Sequence, residues 1–168
     1  MADFDIYSPG DIFDSRDVIE CFEELEAEHG ALQDAIDRAA ELLEECRNDE
    51  QDAGEDDGGT SEAVLQADAE LKEAEEAMET WDSYDEFMAL KSFVDSAKDY
   101  GDWDHGETFI ADSYFEEYAE DLAEDICGKA FREAEWPFNH IDWEAAADQL
   151  KQDYTSYEVN GSTYWARS

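Results

Sequence analysis

Apolar residues recur at helical spacing along most of the chain. Beyond Ser15, a good helix-capping residue, Val18, Ile19, Phe22 and Leu25 share one stripe and predict a helix to about Gly30. Leu32, Ala35, Ile36, Ala39, Leu42, Leu43 and Cys46 predict a second helix from Ala31 to about Arg47. The short join suggests an antiparallel helical hairpin over residues 1–47, or one long helix broken at Gly30. Before Ser15, aromatics mixed with Asp and the Pro9-Gly10 pair predict an irregular, turn-rich start. From Asn48 to Thr60 the apolar period disappears, and glycines among acids predict a flexible linker at 48–60.

The remainder, 61–168, is expected to form an acidic α+β domain. Ser61 opens a helix with a heptad-like run of Val64, Leu71, Met78 and Trp81, alternating with Ala67 and Ala74. Ser83 and Glu86 suit a capping box for a helix through Phe87, Leu90, Val94 and Ala97. Tyr100 to Glu107 predicts a loop, and Thr108 to Ala111 a short strand. Ser113 and Glu116 suggest a second capping box for the Tyr114–Cys127 helix, whose stripe is Phe115, Tyr118, Ala119, Leu122 and Ile126, with Gly128 as the stop. After a connector at Glu135-Trp136-Pro137, Asp142 caps a helix carrying Trp143, Ala146, Ala147 and Leu150. The period then changes to two, and Asn160-Gly161 between β-formers predicts a terminal hairpin. The expected fold class is α+β, mostly α-helical, with N-terminal helices and a terminal β-hairpin.

Charge changes the picture most. The 168 residues carry 50 Asp plus Glu against 10 Lys plus Arg, a formal net charge of −40. Hydrophobic residues make up 42%, too many for a disordered acidic tail, so the charge sits on a folded body. Solubility asks for a net charge of roughly 2–8 in a small domain. Duplex DNA carries one charge per about 1.7 Å, so forty charges correspond to roughly 68 Å of duplex. Such a chain cannot build the basic patch of a nucleic-acid binder, and anionic membranes repel it. The expected partner is a basic protein.

Acids repeat opposite the apolar stripes. Glu116, Glu117, Glu120, Asp121, Glu124 and Asp125 occupy the Tyr114–Cys127 helix, which contains no Lys or Arg. Glu70, Glu73, Glu76 and Glu79 follow Ser61, relieved by Lys72 alone. Glu20, Glu23, Glu24, Glu26 and Glu28, then Glu41, Glu44 and Glu45, repeat the pattern upstream. Like charges at i,i+4 each cost a few tenths of a kcal/mol, so the rows work against helix formation. A single row is an ordinary solvated face. Repetition through every helix points to carboxylates that stand in for phosphates in the DNA-binding groove of a partner. A surface adapted to concentrated salt is the rival account of the same acidity.

Other chemistry is thin. Cys21, Cys46 and Cys127 lack any CxxC spacing and read as reduced buried thiols. The acidic stretch at Asp49 fails the calcium-loop pattern at Gln51, Ala53 and Thr60. Asp102, Asp104, His105 and Glu107 could ligate a metal in a hydrolase, although no second cluster supports them. His29 and His140 are isolated. No nucleophile elbow, phosphate loop or zinc-helix motif occurs, so neither an enzyme nor a cofactor is expected. Trp136, Phe138, Trp143, Tyr154, Tyr157 and Trp165 read as core. No basic-plus-apolar leader and no spanning segment is visible, and the cytoplasm is the expected location.

The C-terminal half carries a resemblance. Asp112-Ser-Tyr-Phe-Glu-Glu-Tyr-Ala-Glu-Asp-Leu-Ala-Glu-Asp-Ile126, Trp136-Pro137, His140-Ile-Asp-Trp-Glu-Ala-Ala146, Asp153-Tyr-Thr-Ser156, Asn160-Gly161 and Tyr164-Trp165 resemble acidic phage and prophage proteins of the ArdA-type antirestriction group. The likeness spans about a third of the chain. It implies a DNA mimic, commonly dimeric, that inhibits type I restriction-modification enzymes by occupying their DNA site. The N-terminal helices differ from the mixed α/β start of that group. This leaves a CRISPR surveillance complex as an alternative target, and an adaptor that shields a basic DNA-binding protein as an alternative role.

Overall fold

The rings of Phe13 and Phe109 stack 5.0 Å apart with their planes 8° from parallel, at the centre of one of two apolar faces of a sheet. The computed structural model describes residues 4–53, 60–99, 101–128 and 138–167. The elements are β1 (Ile12–Asp14), α1 (Ser15–Ala53), α2 (Glu62–Glu79), α3 (Tyr84–Ala97), a short α4 (Trp103–Gly106), β2 (Thr108–Ala111), α5 (Phe115–Cys127), α6 (Trp143–Leu150), β3 (Tyr154–Val159) and β4 (Ser162–Arg167). Turns of 3₁₀-helix flank α5 and α6 at Asp112–Tyr114, Phe138–His140 and Lys151–Asp153. The chain forms two compact units, one from 1–22 with 88–168 and the other from 23–87. This division differs from the expected boundaries at 47 and 60, because α1 and α3 each contribute to both units.

The first unit holds a four-stranded antiparallel sheet in the order β1-β2-β4-β3. Alternation along the strands sends side chains to two faces, and both are covered. On one face Phe13, Phe109, Tyr157 and Tyr164 meet Phe93 of α3 and Trp103 of α4, mostly edge to face at 5.0–6.4 Å. Such tilted contacts set the positive ring edge against the negative face. On the other face Ile110 packs with Phe115 and Ala119 of α5 and Ala147 of α6, while Trp165, Tyr154 and Leu150 close the edges. Burial on both sides explains why Phe109, Ile110 and Ala111 are all buried although they alternate in direction.

Ser15 locks the start of α1 into this unit. Its fully buried hydroxyl donates to the Trp103 carbonyl at 2.7 Å and accepts the Glu107 N–H at 2.8 Å. Its own N–H donates to the Glu107 carbonyl. The predicted hairpin forms as expected: Asn160 and Gly161 both have positive φ, 46° and 79°, the left-handed pair that a two-residue type I′ turn requires. Asp142 caps α6 by accepting the Ala145 N–H, and Gly128 ends α5 at φ 87°.

Several local expectations give way. Residues 4–14 are not wholly irregular, since Ile12–Asp14 pairs with Thr108–Ile110 as β1. The Tyr100–Glu107 loop contains the α4 turn. No side-chain cap forms at the start of α5, so the Ser113 capping box is not realised there. Ile126, placed in the α5 stripe, is 75% exposed at the helix end. Asn48–Ala53, expected in the linker, extends α1; 54–59, together with Tyr100 and the Glu135–Pro137 connector, lies outside the described residues.

The largest correction is at Gly30, where α1 continues without a break. Val18, Phe22, Leu25, His29, Leu32, Ile36, Ala39, Leu43 and Cys46 alternate steps of four and three residues, and each is buried or half-buried. The stripe keeps its phase through Gly30, whereas a turn would reset it. The helical hairpin of the second unit is therefore α1 with α2. Leu43 packs on Val64 and Ala67, with Cys46 and Leu71 beside them. Ser61 caps α2, accepting the Val64 N–H, and its N–H donates to Glu50 of α1. Pairing of Leu43 with Val64, and of Glu28 with Trp81, makes the two helices antiparallel.

Helical glycine costs about 0.5–1 kcal/mol relative to alanine, and a Cβ at Gly30 would meet nothing within 4 Å. Gly30→Ala should therefore raise stability by that amount in urea unfolding. A glycine held in a turn at positive φ would give a loss instead.

Candidate functional site

The acidic rows can now be placed. On α2, Glu70, Glu73, Glu76 and Glu79 are all exposed. They do not form a single file. A step of three residues turns about 60° short of a full revolution, so four such residues sweep around roughly half the helix. Glu70 and Glu73 line a groove of about 410 Å³ against α1, floored by Ala35, Ala39, Ala74 and Ala77. Glu76 and Glu79 lie outside that lining. Lys72, the cation within the row, pairs with Asp68 at 3.6 Å and leaves the four glutamates out of its ion pair.

Along α1, Glu20, Glu23, Glu24, Glu26, Glu28, Glu41, Glu44 and Glu45 are exposed as well. Where α1 lies against α2, from Glu28 to Glu50, it bears eight acids and two arginines; α2 bears seven acids and one lysine. Twelve net negative charges therefore lie along the roughly 34 Å that twenty-three helical residues span, or about one per 3 Å. A DNA strand carries one per 3.4 Å and the duplex one per 1.7 Å. The helix pair falls between them.

On α5, Glu117, Asp121 and Glu124 share a face, as their spacing requires. Their exposure is uneven: Glu116, Glu117 and Asp125 are exposed, while Glu120, Asp121 and Glu124 are half-buried and make interactions within the chain. Sequence periodicity gave the direction of these side chains and missed their surroundings. The second unit thus presents the more open carboxylates.

Cations are concentrated on aspartates instead. Arg16 makes a two-pronged contact with Asp14, Arg47 and Lys72 approach Asp68, Lys98 pairs with Asp95 and Lys151 with Asp112. The Lys151 site was not apparent from the sequence, because its parts are far apart in the chain. Lys151 Nζ sits 5.2 Å from the ring centroids of both Phe115 and Trp165, and Asp112 also accepts the Trp165 indole N–H at 2.7 Å. The cationic ring contact and the carboxylate together hold α6 to the sheet.

The alternative metal residues do not converge. Asp104 and His105 are exposed on α4, and Glu107 Oε2 accepts the Asp102 N–H at 2.9 Å. Asp102 and Glu107 line a cleft of about 570 Å³ that also contains Tyr118, Tyr154 and Arg167; Asp104 and His105 are not in its lining. Among the described residues no three His, Cys, Asp or Glu side chains are grouped to hold a metal ion. None of the cysteines forms a disulfide; Cys21 and Cys46 are half-buried, but Cys127, expected to be buried, is exposed. Tyr157 is buried and Tyr154, Trp143 and Trp165 are half-buried, while Trp136 and the Phe138 side chain lie outside the described residues. No described helix is long and apolar enough to cross a membrane.

Comparison with protein-family models, with curated proteins and with solved structures finds no match. The site must therefore be read from its own chemistry.

One titration tests the Lys151 network. The Lys151 hydrogen bond, then that of Trp165, holds the Asp112 carboxyl below its ordinary value. A depressed carboxyl contributes stability above the unfolded value near pH 4, and that contribution is lost as pH falls through the folded value. Because the Asp112 side chain is half exposed, Asp112→Asn should cost only about 1 kcal/mol at pH 7. In urea unfolding the difference from the parent chain should shrink as pH falls through the folded value.

Proposed function

We propose that this chain is a DNA mimic that occupies the basic DNA-binding groove of a host defence enzyme. The observation carrying this reading is the charge density along the α1–α2 pair, about one net negative charge per 3 Å. A groove built to neutralise phosphates gains the same counterion release from any rigid array of anions at that density. Helices hold the carboxylates in place without a partner, so less ordering entropy opposes binding than for a disordered acidic tail. Exposed Glu70, Glu73, Glu76 and Glu79 on α2, and separately Glu116, Glu117 and Asp125 on α5, are the phosphate substitutes; Glu120, Asp121 and Glu124 add to the α5 set from a half-buried position. A type I restriction-modification complex is the preferred target, on the resemblance of the Asp112–Trp165 segment to antirestriction proteins. A CRISPR surveillance complex offers the same kind of channel. The acidity of a salt-adapted surface needs no partner, and binding separates the two accounts.

The test is displacement of labelled duplex DNA from each purified complex at low ionic strength. The chain should compete with DNA for one of them. Replacing Glu70, Glu73, Glu76 and Glu79 together with Gln removes four exposed charges and should leave the fold intact. At up to about 1 kcal/mol per exposed contact, the variant should compete some tenfold to several-hundredfold less well. Undiminished competition would remove α2 from the interface.

A further inference from the structure

The connection from α2 to α3 carries a cavity of different character from the acidic rows. It measures about 640 Å³ and is lined by Met78, Glu79, Trp81, Asp82, Tyr84 and Asp85. Aromatic rings form its walls. Trp81 and Tyr84 stand nearly perpendicular, at 72°, with centroids 6.5 Å apart. Tyr84 is 46% exposed. Trp81 is held in place: its indole N–H donates to Glu28 Oε2 at 3.2 Å, and its ring leans on His29 and Phe87, which stack on each other at 4.8 Å. Three exposed carboxylates, Glu79, Asp82 and Asp85, complete the lining.

We infer that this pocket is an anchor for an arginine side chain of the basic partner. The inference rests on the proposed mimicry and adds to it a specific contact that phosphate imitation does not need. A guanidinium is planar, weakly hydrated and always charged, so it stacks on an aromatic face while its N–H fork reaches carboxylates. Trp81 and Tyr84 provide the faces; Asp82 and Asp85, one on each side of Tyr84 in the sequence, provide acceptors. Met78 adds a polarizable, adaptable wall. Lysine fits less well because its compact ammonium is strongly hydrated and cannot stack. Interfaces draw much of their affinity from a few arginine and aromatic anchors set among weaker contacts.

The test uses the full chain labelled with ¹⁵N, and follows its tryptophan indole resonances while Nα-acetyl-arginine amide is added. The Trp81 resonance is the one lost in Trp81→Phe. It should shift saturably with the arginine derivative, and much less with the neutral citrulline or the lysine analogue. Tyr84→Ser, at an exposed position, should weaken that response about twofold to fivefold, as loss of one ring–cation contact implies. Asp82→Asn with Asp85→Asn should weaken it further. The inference is overturned if Trp81 moves no more than Trp103, Trp143 and Trp165, if lysine acts equally well, or if Tyr84→Ser titrates like the parent. DNA displacement is scored separately. Competition that survives alongside a negative titration refutes the pocket and leaves the mimicry standing, while a saturable titration without competition refutes the mimicry alone.

Discussion

Mutual repulsion among fifty carboxylates sets the terms on which this chain folds. Ten basic residues cannot neutralise fifty acids, and Arg16, Arg47, Lys72, Lys98 and Lys151 each pair with an aspartate. Apolar burial must therefore supply the cohesion. In the first unit it comes from a sheet covered on both faces, where Phe13, Phe93, Trp103, Phe109 and Tyr157 interlock on one side and Ile110, Phe115, Ala119 and Ala147 on the other. Aromatic rings bury large areas for few residues, which suits a sequence in which 36% of positions are charged.

The second unit meets the same constraint with less material. Among its described residues Ala39, Leu43, Val64, Ala67 and Phe87 are buried, and its helices carry the open glutamates. That small core holds α1 and α2 side by side, so the charges of two acidic helices add over one length. Stability and proposed function are opposed here. Each carboxylate that would serve binding makes the pair harder to hold, and a basic partner would relieve the strain by binding the folded form.

Local signals hold at several turns and helix ends, although the Ser113 capping box does not form. Asn160-Gly161, Asp142, Ser61 and Gly128 each act at a turn or helix end within a few residues, and each is found in its expected place. Readings failed where distant contacts decide. The β1 strand is three residues long and exists because Phe13 meets Phe109 across the chain. Gly30 looked like punctuation, although the stripe from Val18 to Cys46 keeps its phase across it. The acids of α5 point where their spacing says, but their half-burial depends on surroundings that the period does not encode. Met78 and Trp81 read as heptad positions, because spacing alone cannot reveal which side chains line a cavity.

The central claim is that fixed carboxylates act as phosphates toward a DNA-handling enzyme. Its most direct test is the affinity of the whole chain for such a complex, measured over a salt series beside duplex DNA. Both should bind in mutual exclusion, and both logarithmic plots should fall steeply with salt, since in each case the basic groove displaces cations condensed on an anionic array. Affinity that is indifferent to salt, or binding that leaves DNA in place, would contradict the claim.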